Sequence, residues 1–273
     1  MKNFFARLFT GIAYVGIICF CIVWHPLSFC ALFALVTAFC LREYCGLLNA
    51  KRGAAIGLWL NILGGVLLFA SAFLYFSGYV PDARIFFVYL FYLVAIFVGE
   101  TLGKRHEPFL RLSRVIFGQI YIALPVAMLC PLYFSNGETH NWLIVLSLFI
   151  FIWVNDTGAY VVGSTLGKHR LCERISPKKS WEGFFGGLVF TVASSFIFAG
   201  LEPQIAWYHW AALSLFIVVF GTFGDLLESL FKRTLEVKDS GNALPGHGGF
   251  LDRFDSLLLA VYAALFYYYL LIY

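Results

Sequence analysis

Apolar runs long enough to cross a membrane recur along this chain and alternate with short polar segments. A bilayer core about 30 Å thick needs about 20 apolar residues per helix, and the runs fit that length. The predicted membrane helices cover roughly residues 8–24, 27–47, 54–78, 85–100, 115–134, 141–163, 183–200, 205–228 and 254–272. His25-Pro26 predicts a tight turn between the first two. The pattern therefore predicts an all-α, polytopic integral membrane protein with about nine transmembrane helices.

No soluble domain interrupts the apolar pattern, which predicts one membrane domain over residues 1–273. Within it we expect amino-terminal helices in residues 1–80 and middle helices in 81–165. Residues 166–273 would form the helices and cytoplasmic loops that carry the chemistry. The basic run Lys104–Arg114 predicts a short helix at the membrane surface.

The composition and the charge distribution agree with this pattern. The chain is 61% hydrophobic and only 12% charged, whereas a soluble domain has about 25% charged residues, so a soluble globule is excluded. Of the 19 Lys and Arg residues, all except Arg84 fall on one side of the predicted alternation. By the positive-inside rule that side, with the amino terminus, is cytoplasmic. Such a basic face attracts anionic lipid headgroups or nucleotide phosphates.

Three polar clusters lie on the predicted cytoplasmic side, and the first is Asn155-Asp156 in the sixth span (FIWVNDTGAYVVG). An aspartate inside an apolar helix faces a partner or a wet cavity more often than lipid. Two interpretations remain open for this pair: a structural hydrogen bond between helices, or substrate binding.

The second cluster is the loop Gly167–Gly183. Ser176-Pro177 marks a turn that is predicted to cap the next helix, and Lys178 and Lys179 follow at once. Two ammonium groups near a helix amino terminus favour phosphate, because the free backbone N–H groups and the helix dipole point the same way. The alternative is that this basic loop only sets the orientation of the protein in the membrane.

The third cluster begins at the end of the eighth span (GTFGDLLESLFKR). Asp225, Ser229 and Lys232-Arg233 recur at helical spacing, so they share one face at the cytoplasmic end of that helix. Ser229 is predicted to cap the helix or to contact phosphate, since no base is visible beside it that could make it a nucleophile.

A glycine-rich loop then returns the chain to the membrane. Its glycines, among them Gly248, allow the backbone to approach phosphate closely. Lys238 and Arg253 flank the loop and are predicted to bind phosphate. For His247 we favour a phosphate contact; the alternatives are a proton carrier and an ordinary hydrogen-bonding residue.

Three carboxylates frame this region: Asp225, Asp252 and Asp255. Asp252 and Asp255 are three residues apart, so they share one face at the start of the ninth span. Oxygen ligands with no cysteine nearby suit Mg²⁺, which also binds substrate phosphates. The alternative is a set of salt bridges with nearby basic residues. Repulsion between three clustered carboxylates favours the cation.

At these residues the chain resembles the phosphatidate cytidylyltransferases, also called CDP-diacylglycerol synthases. Four short motifs resemble the signature of that family: Ser229-x-x-Lys232-Arg233, Lys238-Asp239, Pro245-x-His247-Gly248-Gly249 and Asp252-Arg253-x-Asp255. Ser176–Gly183 and Asn155-Asp156 resemble two further elements of the family. Motif-level similarity covers roughly residues 150–256, whereas the amino-terminal half agrees only in hydropathy and length.

The resemblance implies that phosphatidic acid and CTP give CDP-diacylglycerol and pyrophosphate with Mg²⁺. The implied catalytic residues are Asp225, Lys232, Arg233, Asp252 and Asp255, of which the three aspartates would bind metal. The implied substrate-binding residues are Asn155, Asp156, Ser176, Lys178, Lys179, Ser229, Lys238, His247, Gly248 and Arg253. The family also implies a bacterial inner membrane, a site facing the cytoplasm, contact with membrane lipid, a homodimer and room for a second cation. No nucleic acid partner is expected.

Two rival functions remain open at this stage. A CTP-dependent kinase for polyprenol or phytol alcohols would need a base for a neutral hydroxyl and would release CDP. A membrane transporter would use Asp156 and the glycine-rich spans, but transport sites lie near the midplane of the bilayer. In this chain most charges gather at one predicted face.

Overall fold

The computed structural model describes residues 2–51, 55–104, 106–135, 140–241 and 248–272, with side chains described from residue 10 onward except at residue 51. Long apolar helices dominate this part of the chain, so the predicted all-α class is confirmed. His247 of the predicted site lies outside the described residues.

The first half of the chain is a series of helices that ends at residue 133. They are α1 (Lys2–Trp24), α2 (Pro26–Lys51), α3 (Leu58–Phe76), α4 (Phe87–Leu102), α5 (Pro108–Gly118), α6 (Leu124–Ala127) and α7 (Leu129–Tyr133), with a 3₁₀ turn at Ala83–Phe86 and a π-helical turn at Gln119–Ala123. His25 forms the predicted tight turn: its Nδ1 accepts a hydrogen bond from the Leu27 N–H at 3.0 Å, and Pro26 begins α2.

The predicted helix in the basic run Lys104–Arg114 begins only at Pro108, and its position at the membrane surface stays a prediction. Helix α5 begins at Pro108 and is the start of a candidate membrane span, Pro108–Tyr133. The Nε of Arg111 lies 3.0 Å from a carboxylate oxygen of Glu100, and both side chains are about nine-tenths buried. This ion pair connects the start of α5 to the carboxyl end of α4 and neutralises the charge of Arg111.

The second half adds four long helices and a β-hairpin. They are α8 (Trp142–Leu166), β1 (Arg170–Cys172), β2 (Ser176–Ser180), α9 (Trp181–Leu201), α10 (Trp207–Thr234) and α11 (Leu251–Tyr267), and a π-helical turn follows at Tyr268–Ile272. The two strands are antiparallel, with Arg170 opposite Ser180 and Cys172 opposite Ser176. This hairpin was not predicted from the sequence.

Eight helices among the described residues are long and apolar enough to cross a membrane. They correspond to the second to ninth predicted spans. The first predicted span appears as a shorter apolar helix, Thr10–Trp24, in the part of α1 whose side chains are described. The polytopic membrane architecture is therefore confirmed, while the cytoplasmic position of the amino terminus stays a prediction.

The chain divides into two compact units. The first contains residues 1–140 and 239–253, and the second contains residues 141–238 and 254–273. The first unit therefore joins the amino-terminal helices to the loop that leads into α11. The predicted single domain with divisions after residues 80 and 165 stays a prediction.

Glycines bring α8 and α9 of the second unit into close contact. A Cβ atom added at Gly158 would lie 3.1 Å from the Gly187 Cα, and one added at Gly183 would lie 3.2 Å from the Gly163 Cα. Small residues at matching positions let two membrane helices pack backbone to backbone. This packing fixes the part of α8 that carries Asn155 and Asp156.

Candidate active site

An acidic cluster forms in the second unit where three helices contribute one aspartate each. Asp255 of α11 interacts electrostatically with Asp225 of α10 and Asp156 of α8, and also with Lys179 of β2. Two of these carboxyl groups, those of Asp225 and Asp255, interact with the Lys179 ammonium group. Carboxyl groups held this close repel one another when ionised, so the cluster attracts cations.

Gly224 allows α10 and α11 to approach closely enough to form this cluster. A Cβ atom at Gly224 would lie 2.6 Å from the Asp255 carbonyl oxygen and 3.1 Å from that of Ser256. A β-carbon cannot occupy that space without moving the backbone of α11. The glycine next to Asp225 in sequence thus places Asp225 beside Asp255.

Both carboxylate oxygens of Asp225 have a partner. Lys179 forms an ion pair with Oδ2, and the Ser229 hydroxyl donates to Oδ1 at 3.2 Å. Ser229 follows Asp225 by one helical turn, so the predicted shared face of Asp225 and Ser229 is present. The side chains of Lys179 and Asp225 are 29% and 26% exposed, which leaves the pair accessible to a ligand.

The β-hairpin separates the two predicted phosphate-binding lysines. Successive residues of a strand point to opposite faces; Lys179 reaches Asp225, whereas Lys178 is exposed. The predicted helix cap at Ser176-Pro177 is wrong, because Ser176 begins β2 and the strand extends to Ser180. Ser180 is the cap: its Oγ accepts a hydrogen bond from the Gly183 N–H at 3.1 Å.

Asn155 and Asp156 face different surroundings although they are adjacent. Asn155 is buried in the contact between α8 and α9, where its Oδ1 packs against Gly187. Asp156 is exposed on α8 and acts on Asp255. Among the described residues Asn155 Oδ1 is buried without a hydrogen-bond partner, so the predicted structural hydrogen bond between helices is not formed by this oxygen. The interpretation as part of the site fits Asp156.

The carboxyl end of α10 carries two predicted catalytic cations. Lys232 forms an ion pair with Glu228, one turn earlier, and the Glu228 side chain is fully buried. Arg233 is exposed, and its Nε donates to the Ile175 carbonyl oxygen at 3.5 Å. Glu228 was not among the predicted site residues, although a glutamate four residues before a lysine is a recognised helix pair.

Asp252 belongs to the first unit and binds backbone. Its Oδ2 accepts hydrogen bonds from the Ser240 N–H at 2.9 Å and the Gly249 N–H at 2.8 Å. Gly248 between these donors has φ of 82°, a conformation that glycine adopts without strain. Arg253 is exposed, and its carbonyl oxygen accepts from the Tyr14 hydroxyl at 3.2 Å. Lys238, in the second unit, is exposed as well.

Glu43 of α2 is the other carboxylate that the sequence analysis missed. Its Oε1 accepts from the Phe250 N–H, and its Oε2 accepts from the Leu251 N–H and the Ser240 hydroxyl, each at 2.9 Å. An acidic residue in an apolar helix was the available signal. Sequence spacing could not supply the partners, because they lie about 200 residues later.

A preformed metal site with three or more His, Cys, Asp or Glu side chains is absent from the described residues. Mg²⁺ does not require one, since it commonly binds one or two carboxylates together with substrate phosphates and water. Asp225 and Asp255 provide such a donor set, because both are oxygen donors and both lie in the acidic cluster. These two residues therefore fit a magnesium ion that binds with its substrate.

Comparisons with known proteins agree with the motifs. A model described as the cytidylyltransferase family matches residues 5–273. A phosphatidate cytidylyltransferase of Bacillus subtilis (strain 168) is 32% identical over 259 residues, which cover 93% of this chain and 94% of the relative. One of Rickettsia bellii (strain RML369-C) is 35% identical over 218 residues, or 77% of this chain and 90% of the relative. A third, from Staphylococcus saprophyticus, is 44% identical over 162 residues, which cover 59% of this chain and 60% of the relative.

The matches extend well beyond residues 150–256, where the motifs lie, into the amino-terminal half. They confirm the predicted family and the predicted class of enzyme, a nucleotidyltransferase. The family model matches nearly the whole chain, and the Bacillus subtilis relative aligns over more than nine-tenths of both sequences, so this chain belongs to the cytidylyltransferase family.

Proposed function

We propose that this protein transfers CMP from CTP to phosphatidic acid and forms CDP-diacylglycerol and pyrophosphate. The observation that carries the proposal is the convergence of Asp156, Asp225 and Asp255 with Lys179 among membrane-spanning helices. This cluster lies in the second unit, which also holds Asn155-Asp156, Ser176–Gly183 and Ser229-x-x-Lys232-Arg233. The names of the relatives support the same substrate pair.

The reaction suits a site of fixed charges. An oxygen of the lipid phosphate attacks the α-phosphorus of CTP, a new P–O bond forms, and the bond to the β-phosphate oxygen breaks as pyrophosphate leaves. A phosphate monoester is already anionic near neutral pH, so the site needs no strong base. Positioning and electrostatic stabilisation should supply most of the catalysis. Lys179, Lys232 and Arg233 would neutralise charge on the phosphates.

We propose Mg²⁺ as the cofactor, held by Asp225 and Asp255. When bound, the ion would neutralise charge on the triphosphate of CTP. The excess of carboxyl groups over ammonium groups around Asp255 supports this proposal. Asp252 is retained as a proposed third ligand, although its Oδ2 binds two backbone N–H groups. A second cation is also retained as a proposal.

The remaining predicted contacts belong to the same proposal. Substrate binding is proposed for Asn155, Asp156, Ser176, Lys178, Ser229, Lys238, His247, Gly248 and Arg253. Among them, Asp156 and Ser229 have support from their contacts with the acidic cluster. Lys178, Lys238 and Arg253 have support from their exposure, which leaves their charges accessible to phosphate.

The proposal also includes location and assembly. We expect the protein in a bacterial inner membrane with its amino terminus and active site on the cytoplasmic side. The one-sided distribution of Lys and Arg supports this orientation. A homodimer and the lack of a nucleic acid partner stay predictions.

Isotope labelling of CTP tests the proposed reaction. Detergent-solubilised protein with phosphatidic acid and Mg²⁺ should transfer label from α-³²P-CTP to the lipid and none from γ-³²P-CTP. Transfer of the γ-label would instead indicate a lipid kinase. The double variant Asp252→Asn/Asp255→Asn should be inactive, and a folded double variant that still forms CDP-lipid would refute the assigned residues.

A further inference from the structure

Glu43 closes a set of hydrogen bonds around the start of α11, all within the first unit. Its two carboxylate oxygens accept from two consecutive backbone N–H groups, those of Phe250 and Leu251, and from the Ser240 hydroxyl. The same hydroxyl accepts from the Asp252 N–H at 3.3 Å. Glu43 and Asp252 are therefore joined through Ser240. We call Glu43, Ser240 and Asp252 with these bonds the clasp.

The clasp provides hydrogen-bond acceptors for N–H groups at the start of α11. The first N–H groups of a helix have no partner within the helix, and the residue before α11 is Phe250, whose side chain has no acceptor. Glu43 supplies the acceptor from a different helix. A carboxylate there also interacts favourably with the positive end of the helix dipole. Bonds from N–H groups to an ionised carboxylate are stronger than those between neutral groups.

Close packing shows that the clasp is a built feature. A Cβ atom at Gly241 would lie 2.7 Å from Oε1 of Glu43, and one at Gly249 would collide with Glu43 and Ser240. The ring of Phe250 stacks on that of Phe39, with centroids 4.8 Å apart and planes 16° apart. Because Phe39 precedes Glu43 by one turn of α2, the stack and the clasp hold the same segment from one helix face.

The hydrogen bonds also indicate that Glu43 is not a metal ligand. Its Oε1 and Oε2 both accept from N–H or O–H donors of the protein, two of which are backbone N–H groups. A cation at Glu43 would have to displace those donors. The role that remains is mechanical: the carboxylate of Glu43 fixes where α11 begins.

We propose that Glu43 is a positioning residue for the transfer reaction, acting through the first turn of α11, which carries Asp252 and Arg253. The inference rests on the proposed function, because it takes that turn to be part of the reaction site. The proposal gives a role to a residue in the amino-terminal half of the chain, where none of the family motifs lies.

The test compares Glu43→Gln with Glu107→Gln, a matched change at an exposed glutamate that makes no capping hydrogen bond. Hydrogen–deuterium exchange of the full-length protein in detergent should show faster exchange in residues 248–253 for Glu43→Gln only. Peptides from α3 and α4 should be unchanged. A misplacement near 1 Å can cost about 100-fold in rate. We therefore expect kcat, per folded protein, to fall about 10- to 100-fold while the KM for CTP changes less than about threefold.

Ser240→Ala provides a second variant should Glu43→Gln fail to fold. It removes the hydroxyl from the clasp and keeps the backbone bonds to Glu43, so exchange and kcat should change in the same direction by a smaller factor. Unchanged exchange at residues 248–253 and unchanged kcat in whichever variant folds would overturn the inference. A wild-type protein that forms no CDP-lipid would refute the proposed function instead, while the exchange comparison would still decide whether the clasp exists.

Discussion

Replacing Gly224 by alanine should separate the two aspartates at the centre of the acidic cluster. The new Cβ atom would lie 2.6 Å from the Asp255 carbonyl oxygen, whereas ordinary contact begins near 3.4 Å, so α10 and α11 would have to move apart by about 0.8 Å. The obstacle is backbone, so no change of rotamer can relieve it. Overpacking of this kind costs about 1–3 kcal/mol of stability. A shift of this size at a reacting centre can lower the rate about 100-fold.

Gly221→Ala is a matched control on the same face of α10, one turn earlier. Its Cβ atom would meet its nearest neighbours, in Ser256, at 3.7 Å, which is ordinary contact. In a helix interior alanine is more favourable than glycine by about 1 kcal/mol of folding free energy, so this variant should be at least as stable as the wild type. Initial rates of α-label transfer and thermal unfolding in detergent should be measured for both variants.

The comparison has a clear refuting result. If Gly224→Ala and Gly221→Ala both keep the wild-type rate and unfolding temperature, the backbone contact at Gly224 does not control the approach of Asp225 to Asp255. If Gly224→Ala unfolds at a lower temperature and its folded fraction is also slow, the helix spacing matters for the chemistry as well as for folding. The second result is the one that the cluster geometry predicts.

Three further predictions concern charge. Lys179→Gln removes the ammonium group that pairs with Asp225, and the loss of such electrostatic stabilisation can lower the rate about 100-fold. The initial rate should therefore fall well below that of Lys178→Gln, since Lys178 points to the other face of the strand. Equal rates in the two variants would contradict the role assigned to Lys179. Glu228→Gln removes the buried charge that pairs with Lys232. Breaking a buried ion pair costs about 3–5 kcal/mol of stability, so the unfolding temperature should drop. An unchanged unfolding temperature would argue against this pairing. EDTA should stop CDP-lipid formation and excess Mg²⁺ should restore it, whereas full activity in EDTA would exclude the proposed cofactor.

The membrane helices could be predicted because their signal is local. A span of about 20 apolar residues is a property of one continuous segment, and eight of the predicted spans recur as long helices among the described residues. The proximity of Asp225 and Asp255 was also predictable, since the two residues lie at the facing ends of consecutive spans. Helical spacing correctly placed Ser229 beside Asp225.

The β-hairpin was missed because it has no strand signal. Its strands are only three and five residues long, and the second contains Pro177 and two lysines, residue types that are depleted in strands. The loop interpretation then grouped Lys178 with Lys179 as a pair. Strand alternation separates them, so only Lys179 reaches the acidic cluster.

Glu43 could not be linked to its partners from sequence, because such links are contacts between remote segments. Asp252 shows the same difficulty: spacing placed it with Asp255, but its Oδ2 binds the backbone of Ser240 and Gly249. Residues that share a helical face need not share a partner. The direction and length of each side chain, together with the neighbouring loop, decide what it contacts.

The distance along the chain between Glu43 and Leu251 has a consequence for biosynthesis. The two residues are 208 positions apart, and a ribosome adding about 5–20 residues per second would take about 10–40 s to travel between them. Throughout that time α2 holds a glutamate whose backbone partners have not yet been made. The first unit can complete its native hydrogen bonds only after Phe250 and Leu251 have been made, so a nascent chain that stops before α11 leaves the Glu43 carboxylate without these two backbone partners.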